Sequence, residues 1–243
     1  LVFEIVKNEL IANDIYEMTL KTDRLPQIFA GQFANIKIAN RTDLILRRPF
    51  CIYSVDAKNN SIKIGYALRG EGTKALSLLE KDQKVNVLLP LGNGFPQVQE
   101  GKKILLVGGG IGALPLLSVA ETYGKNQIYS CMGYKDKTLV IKDKEFAKLS
   151  KQCIIATDDG SYGEKGFVAQ VLAKYIDKIN PDVIFACGPE VMLKSLKVFD
   201  KFPIYVSLEQ RMGCGIGACL VCSCKTKKDD GEHYSRVCAD GPV

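Results

Sequence analysis

The spacing of the cysteines near the C-terminus constrains this chain more than any other feature. Five of the nine cysteines fall within the last thirty residues, in the order Cys214-x4-Cys219-x2-Cys222, then Cys224 and Cys238. The first three and the last follow the plant-type pattern for a [2Fe–2S] cluster, in which one tight loop supplies three thiolates and a separate strand supplies the fourth. The sequence therefore predicts Cys214, Cys219, Cys222 and Cys238 as iron ligands.

The residues between these cysteines suit a loop that wraps a cluster. Gly213, Gly215 and Gly217 let backbone N–H groups approach sulfur, and glycine accepts the positive φ angles of a tight wrap. A structural zinc site is the alternative, although zinc usually takes CxxC pairs from two knuckles and only Cys219-x2-Cys222 has that form. Cys224, two residues beyond a predicted ligand, is interpreted as a non-ligand.

The composition is that of an ordinary globular protein, with 47% hydrophobic and 25% charged residues among 243. The net charge of +6 is not clustered in a basic stripe, so we expect no nucleic-acid partner. No apolar run approaches the about 18 residues of a membrane span and no signal-peptide pattern opens the sequence, so we expect no membrane partner and a cytoplasmic location. Disulfide frameworks belong to small secreted chains, and the clustered cysteines are therefore interpreted as a metal or redox site.

Residues 1–98 have the pattern of a small antiparallel β-barrel. Short β-rich runs alternate with turns that are rich in Gly, Asn and Asp. The predicted strands are Leu1–Val6, Ile15–Leu20, Phe33–Ile38, Phe50–Val55, Ile62–Leu68 and Lys84–Leu89, with a helix at Gly72–Glu80.

Residues 99–204 have a different period, which predicts a doubly wound parallel α/β domain. The apolar run Lys103–Val107 is typical of a strand buried on both faces, and a glycine-rich turn and a helix over 112–123 follow it. Further strands are predicted at Gln127–Met132, Cys153–Ala156 and Val183–Ala186, and further helices at Gly166–Ile179 and Glu190–Phe199. Residues 205–243 form a third, loop-rich segment that contains the cysteine cluster.

Two short motifs in the predicted barrel indicate a flavin site. In the run Arg47-Arg48-Pro49-Phe50-Cys51, an arginine can pair with a diphosphate and the aromatic ring can pack beside an isoalloxazine. The run Gly70-Glu71-Gly72-Thr73 opens a helix, whose N-terminus favours an anion. Taken alone, an arginine pair is typical of a solvated face and the second motif of a helix cap. Together they predict a bound flavin diphosphate.

The α/β domain carries a dinucleotide-binding fingerprint. Gly108-x-Gly110-x-x-Ala113 follows a strand and opens a helix, which is the context this motif requires, and Gly112 lies within it. Cys187, Gly188 and Pro189 follow a later strand, at the sheet edge where ligands bind in such folds. Asp136 is near the position of the expected ribose-binding acid, but lysines flank it, so the choice between NAD and NADP stays open.

The order RRPF, GEGT, GGGIGALP and CGP is similar to that of the ferredoxin–NADP reductase superfamily. The run from Glu209 to Cys219 and the ending from Arg236 to Val243 closely resemble the electron-transfer subunits of NAD-dependent dihydroorotate dehydrogenase B. The resemblance implies a barrel that binds FAD, a lobe that binds NAD and a C-terminal [2Fe–2S] segment. It assigns FAD binding to a set of barrel residues, namely Arg48, Pro49, Phe50, Cys51, Gly65, Tyr66, Ala67, Gly72 and Thr73.

The resemblance also implies an electron relay. A catalytic subunit with FMN would oxidise dihydroorotate, and the electrons would cross the cluster and FAD to NAD⁺, in an expected heterotetramer of two subunits of each kind. No catalytic residue for dihydroorotate is expected in this chain. The family commonly has Ser or Thr where this chain has Cys51, which is a weaker hydrogen-bonding group. Two alternatives are a related small subunit of a ferredoxin-dependent transhydrogenase and a non-catalytic zinc-binding interaction protein.

Overall fold

A computed structural model describes residues 1–38, 41–228 and 231–241 of the chain. Pro242 and Val243, the end of the C-terminal motif, lie outside the described residues. The chain divides into two compact units, of which one combines Leu1–Gly94 with Leu208–Val243 and the other is Phe95–Ser207. The cysteine-rich segment therefore belongs to the same unit as the N-terminal strands.

The first unit contains a closed antiparallel barrel of six strands, which confirms the predicted architecture. The strands are β1 (Val2–Ala12), β2 (Ile15–Lys21), β3 (Phe33–Lys37), β4 (Arg48–Asp56), β5 (Ser61–Ala67) and β6 (Lys84–Leu91), and helix α1 (Glu71–Ser77) lies between β5 and β6. Their order around the barrel is β1-β2-β5-β4-β3-β6. Alternation of side chains directs Ile62, Ile64 and Tyr66 of β5 into the core, where Phe3 and Ile5 of β1 meet them.

The second unit is an α/β domain on one parallel sheet, as predicted. Its elements are β7 (Lys103–Gly109), α2 (Ala113–Thr122), β8 (Gln127–Tyr134), α3 (Asp143–Leu149), β9 (Gln152–Thr157), β10 (Glu164–Lys165), α4 (Val168–Leu172), α5 (Ile176–Ile179), β11 (Val183–Cys187), α6 (Glu190–Ser195) and β12 (Ile204–Ser207). The strand order is β10-β9-β8-β7-β11-β12, so the winding reverses between β7 and β11. In such sheets, ligands bind outside the carboxyl ends of the strands at this reversal.

The cysteine-rich segment contains more regular structure than predicted. A two-stranded hairpin, β13 (Ser223–Lys228) and β14 (Gly231–Arg236), is followed by the short helix α7 (Val237–Asp240). The hairpin strands carry mostly polar side chains, of which none that the structure describes is fully buried, and periodicity therefore could not identify them.

Two predicted helices are wrong in their extent. The helix predicted at Gly166–Ile179 is two short helices, α4 and α5, and the side chains of Lys174 and Tyr175 in the intervening turn both contact Glu164. The helix predicted at Glu190–Phe199 changes after Ser195 to a 3-10 turn. Among the described residues, no helix has the length and apolar character needed to cross a bilayer.

Candidate cofactor sites

The hairpin register brings two of the predicted iron ligands together. Ser223 of β13 pairs with Arg236 of β14, so Cys222 and Cys238 lie just beyond the paired ends. The N–H of Val237 donates to the carbonyl of Cys222 at 3.2 Å, and the N–H of Cys238 donates to the Cys222 Sγ at 3.5 Å. Cys238 comes from a short helix rather than from the separate strand that the spacing suggested.

The other two predicted ligands lie on a tight loop. The N–H of Cys214 donates to the Cys219 Sγ at 3.3 Å, and the N–H of Cys219 donates to the Cys214 Sγ at 3.4 Å. The N–H of Gly217 donates to the Cys238 Sγ at 3.1 Å, which joins the loop to the helix after the hairpin. Gly217 has a φ of +81°, a conformation that favours glycine.

Hydrogen bonds from backbone N–H groups to sulfur link the four cysteines in two pairs, Cys214 with Cys219 and Cys222 with Cys238. A structural zinc ion needs four ligands around one point, whereas each iron of a binuclear cluster needs only two thiolates in addition to the bridging sulfides. The paired arrangement fits the binuclear cluster.

The thiol pKa values of Cys214 and Cys238, one from each pair, are shifted in opposite directions. Backbone N–H groups of Ile216 and Cys219 point at the Cys214 sulfur and lower the pKa of that thiol to about 6. Burial and the adjacent Cys222 thiol raise the pKa of Cys238 to about 11. Cys214 is therefore poised as thiolate at neutral pH, as a metal ligand should be.

Arg236 ties the loop to the helix that carries Cys238. Its guanidinium donates to the carbonyl of Gly217 at 3.1 Å and to the Asp240 carboxylate at 2.8 and 3.0 Å. A Cβ at position 217 would lie 2.8 Å from the Ala239 Cβ, so only glycine allows this close approach. Arg236 belongs to the C-terminal motif, but sequence reasoning assigned it no role.

The cysteine-rich segment packs on the outside of the barrel wall. Phe33 of β3 forms one buried apolar cluster with Cys222, Val237 and Cys238. Cys224 packs at the margin of this cluster, and its thiol donates to the carbonyl of Ser235 on the opposite hairpin strand at 3.5 Å.

The predicted diphosphate-binding residues of the barrel meet around the start of α1. A Cβ at Gly72 would lie 2.5 Å from the Arg48 Nε, so the guanidinium of Arg48 lies directly over the first turn of this helix. Thr73 closes that turn, since its hydroxyl accepts from the N–H groups of Arg69 and Gly70 at 2.9 and 3.2 Å. Arg47 points elsewhere, to the carbonyls of Asn35 and Asn86 and to the Asn86 side chain.

The predicted aromatic contacts of the flavin lie on neighbouring strands. The Phe50 and Tyr66 rings are 5.6 Å apart, and the Tyr66 hydroxyl donates to the Asn8 Oδ1 at 2.7 Å. Tyr66 is buried in the barrel core, whereas Phe50 is half-buried at its margin. Gly65 and Ala67 flank Tyr66 on β5, and their side-chain positions face the opposite side of the strand.

Cys51 and Pro49 lie on β4 opposite two residues of β3. Cys51 pairs with Phe33, and Pro49 pairs with Asn35. Burial, with a further contribution from the Glu209 carboxylate, raises the pKa of the Cys51 thiol to about 12. This thiol is therefore neutral at physiological pH and is a weak hydrogen-bond donor.

The dinucleotide motif and the later Cys-Gly-Pro run converge at the reversal of the parallel sheet. Gly108 of β7 pairs with Cys187 of β11. A Cβ at Gly112 would lie 2.6 Å from the Cys187 carbonyl oxygen, whereas a Cβ at Gly110 would meet no atom within 4 Å. Gly112 is therefore required for packing, and Gly110, with a φ of +54°, borders open space.

The residues that follow β11 and β8 do not decide between NAD and NADP. Gly188 and Pro189 follow β11, and Pro189 precedes the first turn of α6. The Asp136 carboxylate accepts from the N–H and hydroxyl of Thr138 at 2.8 and 2.5 Å, so it caps a turn after β8. That engagement does not distinguish NAD from NADP.

Comparison with known proteins matches these features to one group. Residues 209–243 match a family model described as the iron–sulfur cluster binding domain of dihydroorotate dehydrogenase B. The chain is 42% identical to the electron transfer subunit of dihydroorotate dehydrogenase B (NAD(+)) from Bacillus pumilus (strain SAFR-032), over 98% of this chain and 93% of the relative. The corresponding subunit from Geobacillus sp. (strain WCH70) is 41% identical, over 98% of this chain and 94% of the relative.

A solved structure has the same fold over nearly the whole chain. It is a chain from an NADH-dependent reduced ferredoxin–NADP oxidoreductase studied for flavin-based electron bifurcation. The TM-score is 0.87 at 27% sequence identity, and the match covers 99% of this chain and 86% of the other.

Proposed function

Because this chain belongs to the family of electron transfer subunits of dihydroorotate dehydrogenase B (NAD(+)), we propose that it delivers the electrons of dihydroorotate oxidation to NAD⁺. The oxidation itself takes place in a catalytic partner subunit, as a step of pyrimidine biosynthesis. The chain is thus a flavin and iron–sulfur oxidoreductase subunit. The observation that carries this proposal is the pairing of Cys214 with Cys219 and of Cys222 with Cys238 on the outside of the barrel.

The cofactors of the proposed relay are a [2Fe–2S] cluster, FAD and NAD. An iron–sulfur cluster carries one electron at a time and nicotinamide takes a hydride, so flavin, which exchanges both, supplies the conversion between them. The backbone N–H groups around the four sulfurs support the cluster assignment, because such hydrogen bonds stabilise charge on a metal–thiolate centre.

The flavin assignment is supported by the guanidinium of Arg48 over the first turn of α1. In this proposal Arg48 and the backbone around Gly72 and Thr73 hold the diphosphate of FAD, since a guanidinium forms paired hydrogen bonds with phosphate oxygens. Phe50 lines the side of the ring system and Tyr66, in the barrel core, packs behind Phe50, while Cys51 contributes a neutral thiol. The remaining contacts proposed on the same strands are those of Pro49, Gly65 and Ala67.

NAD binding is proposed at the carboxyl ends of β7 and β11. There Gly110 borders open space for a diphosphate near the turn before α2, and Gly108 and Gly112 allow the close backbone packing of that turn. Cys187, Gly188 and Pro189 border the same crevice. Accordingly, we propose FAD binding within residues 1–98, NAD binding within 99–204 and cluster binding within 205–243.

The family name implies a catalytic partner subunit, and we propose further that this partner contains FMN and forms a heterotetramer with two chains of each kind. We also propose a cytoplasmic location. Ile216, Leu220 and Val221 support docking of the partner beside the cluster, because these apolar side chains around the ligands are 58–61% exposed. With the partner docked there, an electron would have only a short distance to cross from the partner to the cluster.

A ferredoxin-dependent transhydrogenase subunit is a second candidate, favoured by the 27% identical solved chain that shares the fold. The relatives at 41–42% identity make it the weaker one. Co-purification separates the two, since it identifies which dehydrogenase the chain assembles with.

The proposal is tested on the purified chain with and without its catalytic partner. Alone, the chain should show flavin bands and broad thiolate-to-iron absorption, and it should reduce a dye with NADH. It should form orotate and NADH from dihydroorotate and NAD⁺ only after the partner is added. Dihydroorotate oxidation by the chain alone, or a colourless protein that contains zinc, would overturn the proposal.

A further inference from the structure

Asn35 of β3 is a buried polar residue whose side chain finds no hydrogen-bond partner in the described part of the chain. Its side chain is 1% exposed. Among the residues that the structure describes, neither its Nδ2 nor its Oδ1 has a hydrogen-bond partner. Buried carboxamides are almost always hydrogen-bonded, because an unsatisfied donor or acceptor is costly. A group outside the polypeptide is therefore expected to complete the bonding of Asn35.

The carboxamide of Asn35 lies against the cluster loop. Alternation along β3 directs Ala34 and Ile36 into the barrel core and leaves Phe33 and Asn35 on the outer face. A Cβ at Gly215 would lie 2.7 Å from the Asn35 Nδ2, so the carboxamide packs against the residue that directly follows Cys214. On the same face, Phe33 contacts Cys222 and Cys238.

The surrounding strands offer no substitute partner. The residue paired with Asn35 on β4 is Pro49, which has no N–H and no polar side chain. Arg47 donates to the backbone carbonyl of Asn35 at 3.3 Å and leaves the side chain unsatisfied. Leu91, the next neighbour of Gly215, is apolar.

We propose that Asn35 is a positioning residue of the iron–sulfur site, whose carboxamide N–H donates to the sulfur side of the loaded cluster. This inference rests on the proposed function. A hydrogen bond to sulfur stabilises the more negative, reduced state and so raises the reduction potential. Asn35 also joins the strand pair that carries the proposed flavin residues to the loop that carries two cluster ligands.

The test replaces Asn35 by an apolar residue of similar shape and measures the cluster itself. In Asn35→Leu, the equilibrium constant for one-electron reduction should fall about tenfold, which corresponds to 59 mV for a one-electron couple. The measurement is a redox titration followed by the EPR signal of the reduced cluster. The control is Asn86→Leu on β6, which is exposed and contacts Arg47 instead of the cluster loop. Its potential should equal that of the wild type.

A second readout separates this role from packing. Without iron, Asn35→Leu should unfold at the same temperature as the wild type or at a higher one, because the substitution removes two unsatisfied atoms from a buried site. Asn35→Asp keeps the shape but replaces the N–H donors by an oxygen, so it should also lower the potential. If the leucine variant takes up no cluster, the redox titration is carried out on Asn35→Asp instead.

Several results would overturn the inference. An unchanged reduction potential in a loaded Asn35 variant would show that the carboxamide does not reach the cluster. A lower unfolding temperature of iron-free Asn35→Leu would show that the carboxamide stabilises the fold and has no role toward the cluster. A wild-type chain that binds no [2Fe–2S] cluster would instead refute the proposed function.

Discussion

Arg47 and Arg48 show how one residue step at the start of a strand changes the role of the same side chain. The guanidinium of Arg47 binds backbone carbonyls and Asn86 on neighbouring barrel strands, whereas that of Arg48 lies over the turn at Gly72. Only Arg48 is therefore available to a diphosphate at the start of α1.

Replacing Arg48 should weaken FAD binding, and replacing Arg47 should not. A hydrogen bond to a charged group contributes about 1.5–3 kcal/mol, so Arg48→Ala should weaken FAD affinity by about 10- to 100-fold. Equilibrium dialysis or flavin fluorescence during titration of the FAD-free protein measures this. Arg47→Ala is the matched control, and equal losses in the two variants would contradict the assignment.

Cys214 and Cys224 are predicted to differ in reactivity. In the iron-free, reduced chain, backbone N–H groups lower the pKa of Cys214 to about 6, while burial raises the pKa of Cys224. Because the thiolate is the reactive form and exists above the pKa, alkylation of Cys214 should rise through a midpoint near pH 6, and that of Cys224 should require a higher pH than a free cysteine does. Mass spectrometry of iodoacetamide-treated protein at several pH values resolves the two sites. A midpoint for Cys214 near that of a free cysteine would contradict the expectation.

At the scale of elements, the turn between β7 and α2 depends on close backbone packing. Gly112 lies against the Cys187 carbonyl and the Gly188 Cα, where a side chain would be 2.6–2.7 Å from backbone atoms. The backbone of β11 cannot yield as a flexible side chain can.

Gly112→Ala should therefore damage nucleotide binding while the other cofactors stay bound. Overpacking costs about 1–3 kcal/mol, so the KM for NADH in dye reduction should rise by about 5- to 150-fold. The spectra of flavin and cluster should not change, because their proposed residues belong to the other compact unit. Gly124→Ala is the control, since its Cβ would have no neighbour closer than 3.5 Å. A normal KM in Gly112→Ala would contradict this reading of the turn.

At the scale of the whole molecule, the cysteine-rich segment and the N-terminal barrel form one unit although the whole α/β domain lies between them in sequence. The apolar side chains that remain exposed beside the cluster, Ile216, Leu220 and Val221, are the proposed contact with the catalytic partner.

Removing one of these apolar side chains should weaken assembly. Leu220 has a φ of +60°, a conformation that Asn tolerates, so Leu220→Asn removes the apolar group without new backbone strain. Full burial of a leucine contributes about 1.5–3 kcal/mol, so affinity for the catalytic subunit should fall by about tenfold or more. Surface plasmon resonance with the purified partner measures it, and an unchanged visible spectrum shows that the cluster is intact. Leu78→Asn, at another exposed leucine, is the control. Equal affinity of both variants would place the partner elsewhere.

The sequence by itself determined the two architectures and the candidate iron ligands. Alternation over residues 1–98 and buried runs after Gly101 are local patterns, and the spacing of Cys214, Cys219 and Cys222 is local to one loop, so each can be read without distant contacts. The strands of the barrel and the parallel sheet agree with those predictions to within a few residues, apart from the longer C-terminal end of β1 and the unpredicted short strands β10 and β12.

Only the tertiary structure decided how these parts meet. The pairing of Cys222 with Cys238 follows from the register of a polar hairpin. The different directions of the Arg47 and Arg48 side chains follow from the closure of the barrel. The lack of a hydrogen-bond partner for the Asn35 side chain in the described chain follows from its position beneath Gly215. In the sequence, Asn35 is one polar residue within an apolar strand, which was the one available signal. Its meaning depends on contact with a loop far along the chain, and local patterns carry no information about such contacts because they record only the chain's own periodicity.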